Sequence, residues 1–302
     1  MTTERTFSTY RMARTAAALA VGALLAGGLA VPASASGSTT VPTAQPGIPA
    51  DDGSSTRDID DGGIGGTGNE FHLADFFGNT QYSFRYGNPG GRFYVGDWDW
   101  DSFDSLAYRI GSTFYIRNSY TAGRPHEVLS YGRPGDRIYV GDWDGDGKDT
   151  LAVRRGVEYH IKNSLTGGPA DAVVYYGRAG DDVLVGDWDG DGKDTFAVRR
   201  GNTYHISNTF DGGDADKVVT YGRAGDEVYV GDWGGGPWGP DGISTLAVRR
   251  GKTYYFKDRI AGGDADHVVT YGRESDTTVV GNWYGAGVDD SLTPDTLGIR
   301  RP

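Results

Sequence analysis

The chain has 302 residues, of which 37% are hydrophobic and 12% aromatic, with no cysteine and a formal charge of −12. The lack of cysteine excludes a disulfide framework and any thiol chemistry. The acidic balance argues against nucleic acid and anionic membrane surfaces as partners, because long-range electrostatics oppose both.

The N-terminus reads as an export signal. Arg5, Arg11 and Arg14 make a positive n-region, Thr15 to Val31 is an apolar run, and Ala33-Ser34-Ala35 is a small-x-small cleavage site. Residues 1–35 are therefore expected to be a signal peptide cut after Ala35. A membrane anchor fits less well, since the run is short and stops at Pro32. No other span suggests membrane insertion after cleavage, so a secreted product is expected, with a charge of about −14 once the leader is gone.

Residues 36–68 are rich in Gly, Ser, Thr, Pro and Asp and poor in bulky apolar side chains. They read as a disordered linker. Within them Gly63-Ile64-Gly65-Gly66-Thr67-Gly68 matches a dinucleotide-binding string, but no strand precedes it and no helix follows, so the match is treated as chance.

From Asn69 onward the chain repeats. The triplet Gly-Asp-Trp stands at Gly96-Asp97-Trp98, Gly141-Asp142-Trp143, Gly186-Asp187-Trp188 and Gly231-Asp232-Trp233, each 45 residues after the last. A variant follows at Gly281-Asn282-Trp283, delayed by a Gly/Pro insert. Four short segments recur with the triplet, each in five copies. They are represented by Phe93-Tyr94-Val95, by Leu151-Ala152-Val153, by Tyr159-His160-Ile161, and by the stretch that runs into Tyr131-Gly132. All are β-branched or aromatic and bounded by Gly, Asp or Asn, which predicts strands. No segment carries a convincing helical period.

Four strands in such a period make one propeller blade. The chain enters at the third segment (Phe71) and ends after the second (Leu297), giving two strands, four full sets, then two strands. A ring gains a clasp from that offset and loses its exposed edges. The predicted fold is all-β: a five-bladed propeller over 69–302 whose closing blade is shared between the termini. A linear β-solenoid is the alternative.

The chemistry-bearing segment follows the triplet. In Asp142-Trp143-Asp144-Gly145-Asp146-Gly147-Lys148-Asp149, carboxylates occupy positions 1, 3 and 5, glycine occupies position 6, and the Lys148 carbonyl holds position 7. Hard oxygen donors in a tight loop suit calcium. Asp187, Asp189, Asp191, Lys193 and Asp194 repeat the set. Asp97, Asp99, Asp101 and Asp104 keep the acidic spacing with Trp100 and Ser102 in place of the glycines. The fourth loop (Asp232, Asp241) and the fifth (Asn282, Asp289, Asp290) lack the alternation and are expected to be empty.

These loops and their flanking strands resemble the FG-GAP/VCBS repeats of integrin α-subunit propellers and of many exported bacterial proteins, over the whole of 69–302. The resemblance implies a calcium-holding loop between the first and second strands of each blade. Two features depart from it. The family's last acidic ligand falls at position 9, whereas here position 8 is Asp (Asp149, Asp194) and position 9 is Thr (Thr150, Thr195), which leaves that ligand open. Integrin propellers have seven blades, not five.

Trp98, Trp143, Trp188, Trp233 and Trp283 share one repeat position and read as packing residues. Trp100 and Trp238 are out of register on loops, where they suit ligand stacking or fill space. The pairs Arg154-Arg155, Arg199-Arg200, Arg249-Arg250 and Arg300-Arg301 recur, and one of each is expected to pair with an aspartate while the other faces solvent. His72, His160 and His205 interchange with Tyr115 and Tyr255, which argues for packing. No nucleophile or zinc-protease motif is present.

Together these features predict a secreted, non-catalytic, calcium-stabilised binding module, monomeric and able to associate with the cell wall, that recognises cell-surface or cell-wall glycans. An adhesion module binding an extracellular protein is the second reading. A glycan hydrolase, which needs a carboxylate pair in the central channel, is the third.

Overall fold

The computed structural model describes residues 47–49, 63–75, 78–234, 240–283 and 294–302. The expected leader and its cleavage point, most of the expected linker, Trp238, Asp289 and Asp290 lie outside the described residues. No helix among the described residues is long and apolar enough to cross a membrane.

The chain opens with β1 (Glu70–Ala74) and β2 (Thr80–Arg85). Blade 1 follows as β3 (Arg92–Gly96), β4 (Ser105–Ile110), β5 (Thr113–Arg117) and β6 (Glu127–Ser130). Blade 2 comprises β7 (Arg137–Gly141), β8 (Thr150–Arg155), β9 (Glu158–Lys162) and β10 (Ala172–Tyr175). Blade 3 comprises β11 (Asp182–Gly186), β12 (Thr195–Arg200), β13 (Thr203–Ile206) and β14 (Lys217–Thr220). Blade 4 comprises β15 (Glu227–Gly231), β16 (Thr245–Arg250), β17 (Thr253–Phe256) and β18 (His267–Thr270), and the chain ends with β19 (Thr277–Gly281) and β20 (Thr296–Arg301).

Each blade is an antiparallel four-stranded sheet, and the closing sheet has the order β19-β20-β1-β2. Phe71 pairs with Arg300 and His72 with Ile299 across the seam. The inner strands touch in the cycle β3, β7, β11, β15, β19 and back to β3. The fold is a five-bladed β-propeller with a shared closing blade. This excludes the solenoid, whose end strands would not meet.

Packing follows the period-2 pattern of each strand. The second strand of each blade is almost wholly buried, while the third alternates, with Phe114 and Ile116, Tyr159 and Ile161, or Tyr204 and Ile206 facing the next blade. Each blade ends in a tyrosine whose hydroxyl reaches the neighbour: Tyr131 donates to the His160 carbonyl at 3.0 Å and Tyr176 to that of His205 at 2.9 Å. The position shared by histidine and tyrosine therefore serves the ring through its backbone.

Two described parts of the expected linker meet the ring. Ile48 is buried in the cluster around Phe71 and Phe93, with Ile64 packed against it. Gly68 is needed for close approach, because a Cβ there would overlap the Arg301 carbonyl. Low hydrophobicity hid these contacts, since each rests on a single isoleucine among small and polar residues.

Candidate functional site

The acidic loops are organised by their first aspartate. Asp142 accepts the backbone N–H groups of Gly145 (2.8 Å), Asp146 (3.2 Å) and Gly147 (2.7 Å), while Asp146 accepts that of Lys148 at 2.9 Å. Gly145 and Gly147 have φ of 79° and 84°, the left-handed region that glycine enters at least cost. Asp187 binds Gly190 and Gly192 in the same way, and Asp191 accepts the Lys193 N–H.

The first loop keeps this geometry without its glycines. Asp97 accepts from Trp100 (2.7 Å), Asp101 (3.2 Å) and Ser102 (2.8 Å). Trp100 and Ser102 have φ of 65° and 71°, a conformation that costs roughly 1–2 kcal/mol per L-residue. The Asp97 carboxylate thus imposes the turn on residues that disfavour it.

Carboxylate oxygens of Asp97, Asp99 and Asp101 lie within 4.8 Å of one another, as do those of Asp142, Asp144 and Asp146 and of Asp187, Asp189 and Asp191. Burial pushes the Asp97 and Asp142 carboxyls up, backbone N–H donors hold them down, and the neighbouring carboxylates raise them further. A hard oxygen set in which like charges oppose one another fits a divalent cation such as calcium.

The eighth loop position does something else. Asp149 Oδ2 accepts the Asp97 N–H at 2.9 Å, and the Asp149 N–H donates to the Asp97 carbonyl at 2.8 Å. Asp194 makes the same two bonds to Asp142, Asp295 to Asp232, Asp104 to Asn282, and Ser244 to Asp187. Five reciprocal latches therefore tie each loop to the blade before it.

The latch explains the triplet glycine, which is not in the left-handed region. A Cβ on Gly96 would come within 2.9 Å of Asp149 Oδ2, and one on Gly141 within 2.8 Å of Asp194 Oδ2. The ninth position is committed as well: Thr195 Oγ1 donates to the Ser207 carbonyl at 2.7 Å. The structure brings positions 1, 3 and 5 together and turns Asp104, Asp149 and Asp194 towards the adjoining blade. Each latch carboxylate keeps some water contact but is ringed by protein. Burial first, opposed by the backbone bond and reinforced by nearby aspartates, pushes Asp194 up to about 7 and Asp295 up to about 6. Asp104 and Asp149 rise well above the usual range for the same reasons.

The arginine pairs correct a second expectation. The second member does bind an aspartate: Arg155 to Asp136, Arg200 to Asp181 and Arg250 to Asp226, each at 2.6 Å. The first member is buried in three of the four pairs, at Arg154, Arg249 and Arg300, as is the lone Arg109 of the first copy, while Arg199 is half-buried. Arg154 donates to the carbonyls of Asp181 (2.8 Å) and Arg178 (2.7 Å), in the turn that leads into the next blade. A guanidinium has enough donors to satisfy several carbonyls at once, so these side chains staple consecutive blades.

Trp98, Trp143, Trp188 and Trp283 are buried, and Trp233 is partly buried. Trp100 is 60% exposed. Its indole lies on Gly147 of the next loop, where any Cβ would overlap Nε1.

At the opposite mouth, the central channel forms a half-open cavity of about 770 Å³ whose charged lining mixes Arg137, Arg199 and Arg249 with Asp182, Glu227, Glu274 and Asp276. The sequence reading missed these charged residues, although the signal was present: the first inner-strand position varies as Arg92, Arg137, Asp182, Glu227 and Thr277 while its surroundings repeat.

Comparison with protein-family models and with curated proteins finds no match for this chain.

Proposed function

We propose that this chain is an exported, non-catalytic binding module of the FG-GAP/VCBS type, in which calcium in the first three acidic loops stiffens one face of the ring and that face recognises glycans. The observation that supports this reading is Trp100. It is a large exposed indole kept in a costly left-handed conformation, seated on the neighbouring acidic loop. Strain retained at an exposed aromatic between polar loops suits a stacking platform for a sugar ring. Asp101 on one side and Asp142 to Asp146 on the other supply acceptors for hydroxyl groups.

Trp100→Gly is the informative variant, because glycine holds this position in the next two loops and tolerates the φ. A glycan array probed with wild type and variant, with and without calcium, tests the reading. Binding should be lost in the variant while the melting temperature stays the same or rises. Equal glycan binding by both proteins would remove Trp100 from the site, and no binding by wild type with calcium present would overturn glycan recognition. A protein-binding role finds its support on the rim, where Val128, Val173, Val218 and Val268 are exposed on outer strands.

A further inference from the structure

Part of this chain is already seated in a cleft between two blades. Ile48 is 5% exposed and belongs to the cluster that holds Tyr86, Tyr108, Ile110 and Tyr115, where the closing blade meets blade 1. Pro49 gives its carbonyl to Asn88 Nδ2 at 2.8 Å. Gly47 has a φ of 84°, and a Cβ on it would come within 3.3 Å of Pro125 and 3.5 Å of Arg124. Three consecutive residues thus sit in the cleft as a ligand would. One apolar side chain is buried, one carbonyl is read by a donor, and a glycine lies close against the edge.

The repeat builds the same cleft between blades 3 and 4. Tyr221 donates to the Tyr255 carbonyl at 2.9 Å, as Tyr86 does to that of Tyr115 at 2.8 Å. His267 stands opposite Phe256 as Glu127 stands opposite Ile116. In that register Arg223 takes the place of Asn88, and Asp264-Ala265 that of Arg124-Pro125. These residues border a cavity of about 280 Å³ that is open among the described residues. Its volume is just under the usual range for drug-sized ligands, which suits one side chain with its backbone.

The lining differs in one respect. Ile110 of the filled cleft becomes Arg250, whose guanidinium is committed to Asp226 at 2.6 Å and lies over the Tyr255 ring at 4.7 Å. Its charge is matched and its plane is stacked, so with Val248 it leaves a surface on which an aliphatic group can pack. Blade 4 also shares the tyrosine of blade 1 at a position that is histidine in blades 2 and 3.

We propose that the cleft between blades 3 and 4 binds a peptide segment of a partner protein in which glycine and an aliphatic residue precede proline, as Gly47 and Ile48 precede Pro49. The aliphatic side chain enters beside Val248 and Tyr255. Arg223 donates to the carbonyl that follows, as Asn88 does in the filled cleft. The site shares no residue with the acidic loops or with Trp100, so it does not depend on calcium or glycan binding.

An NMR titration of the whole chain with acetyl-Gln-Pro-Gly-Ile-Pro-Ala-amide, the sequence around Ile48, tests the proposal. The amides of Gly222, Gly263 and Ala265 should shift in wild type. Those of Gly87 and Gly123 should stay in place, because the chain's own segment holds that cleft. A peptide with glycine in place of isoleucine should bind about tenfold more weakly or worse, since the buried side chain is lost. Arg223 is exposed, so Arg223→Ala leaves the fold intact and should weaken binding about three- to tenfold. Ile48→Asp should free the first cleft and add shifts at Gly87 and Gly123. No shift at Gly222 and Gly263 in wild type, binding indifferent to both the isoleucine and Arg223, or no second set of shifts in Ile48→Asp would overturn the proposal. So would a cleft that responds to glycans and not to the peptide, or a chain that self-associates through this cleft and takes up no peptide.

Discussion

Tyr108 occupies the place that an aspartate holds in the other blades. Its ring lies where a Cβ on Gly91 would be. Gly91 stands in register with Asp136, Tyr108 with Val153, and Ile110 with Arg155. Blade 1 has therefore exchanged a bidentate ion pair for an aromatic plug, changing three positions together.

That exchange predicts strong coupling. Gly91→Asp alone should cost about 1–3 kcal/mol or more, because it overpacks a filled site and buries a carboxylate without its arginine. The triple variant Gly91→Asp, Tyr108→Val, Ile110→Arg should recover most of the loss. Urea unfolding of the single and triple variants measures the interaction. Additive destabilisation would show that the three changes are unrelated.

The two arginines of a pair should differ. Arg155 is about one-third exposed but its partner Asp136 only 12%, so Arg155→Met should cost about 1–2 kcal/mol, part of it from the carboxylate left without its arginine. Arg154 is 3% exposed and caps two inter-blade carbonyls. Arg154→Met should cost about 2–4 kcal/mol, since it leaves those acceptors without a partner. Equal losses in denaturant unfolding would contradict the staple.

Blade number and closure were legible because strand pattern and repeat offset are local features of the sequence. Phe71 in the third segment and Leu297 in the second told how the ring joins. Asp142, Asp144 and Asp146 were legible for the same reason, since all three act within one turn. Asp149 was misleading. It lies next to the loop in sequence, but its partner Asp97 is one repeat earlier, and no local spacing points there. Arg154 was misplaced because strand alternation says that it faces away from Arg155 but not that the next blade covers that side. Ile48 and Ile64 escaped notice because a Gly-rich segment carries no period.

Calcium should stabilise the ring through the acidic loops. At free calcium about tenfold above the dissociation constant, each occupied site adds roughly 1.4 kcal/mol. Asp144→Ala with Asp189→Ala should remove most of the calcium-dependent rise in melting temperature. The apo form should change little or gain slightly, because clustered carboxylates lose a repelling member. An unchanged calcium response in a thermal scan would place the metal elsewhere.

The latches should shape the pH dependence of the chelated protein. Asp194 and Asp295 have folded values raised to about 7 and about 6, above the ordinary aspartate value. Between that value and the folded one, the folded state holds protons that the unfolded state has released, so stability falls as pH rises through this window. Asp136, Asp181 and Asp226 act oppositely. The arginine hydrogen bonds lead at Asp181 and Asp226, and at Asp136 burial is outweighed by the arginine and backbone donors together, so all three are lowered and their contribution is lost as pH falls below about 4. Stability in chelator should therefore peak near pH 4, about the ordinary aspartate value, where the two opposing slopes meet. Asp194→Asn keeps an acceptor for the Asp142 N–H and removes the titrating charge, so it should flatten the decline from pH 5 to 8. Asp194→Ala should flatten it too, but from a baseline about 1–3 kcal/mol lower, because the Asp142 N–H then has no partner. Denaturant melts of the three proteins across that range decide the matter: an alanine variant as stable as wild type at pH 5, or an asparagine variant that keeps the full slope, would show that the latch carries no such load.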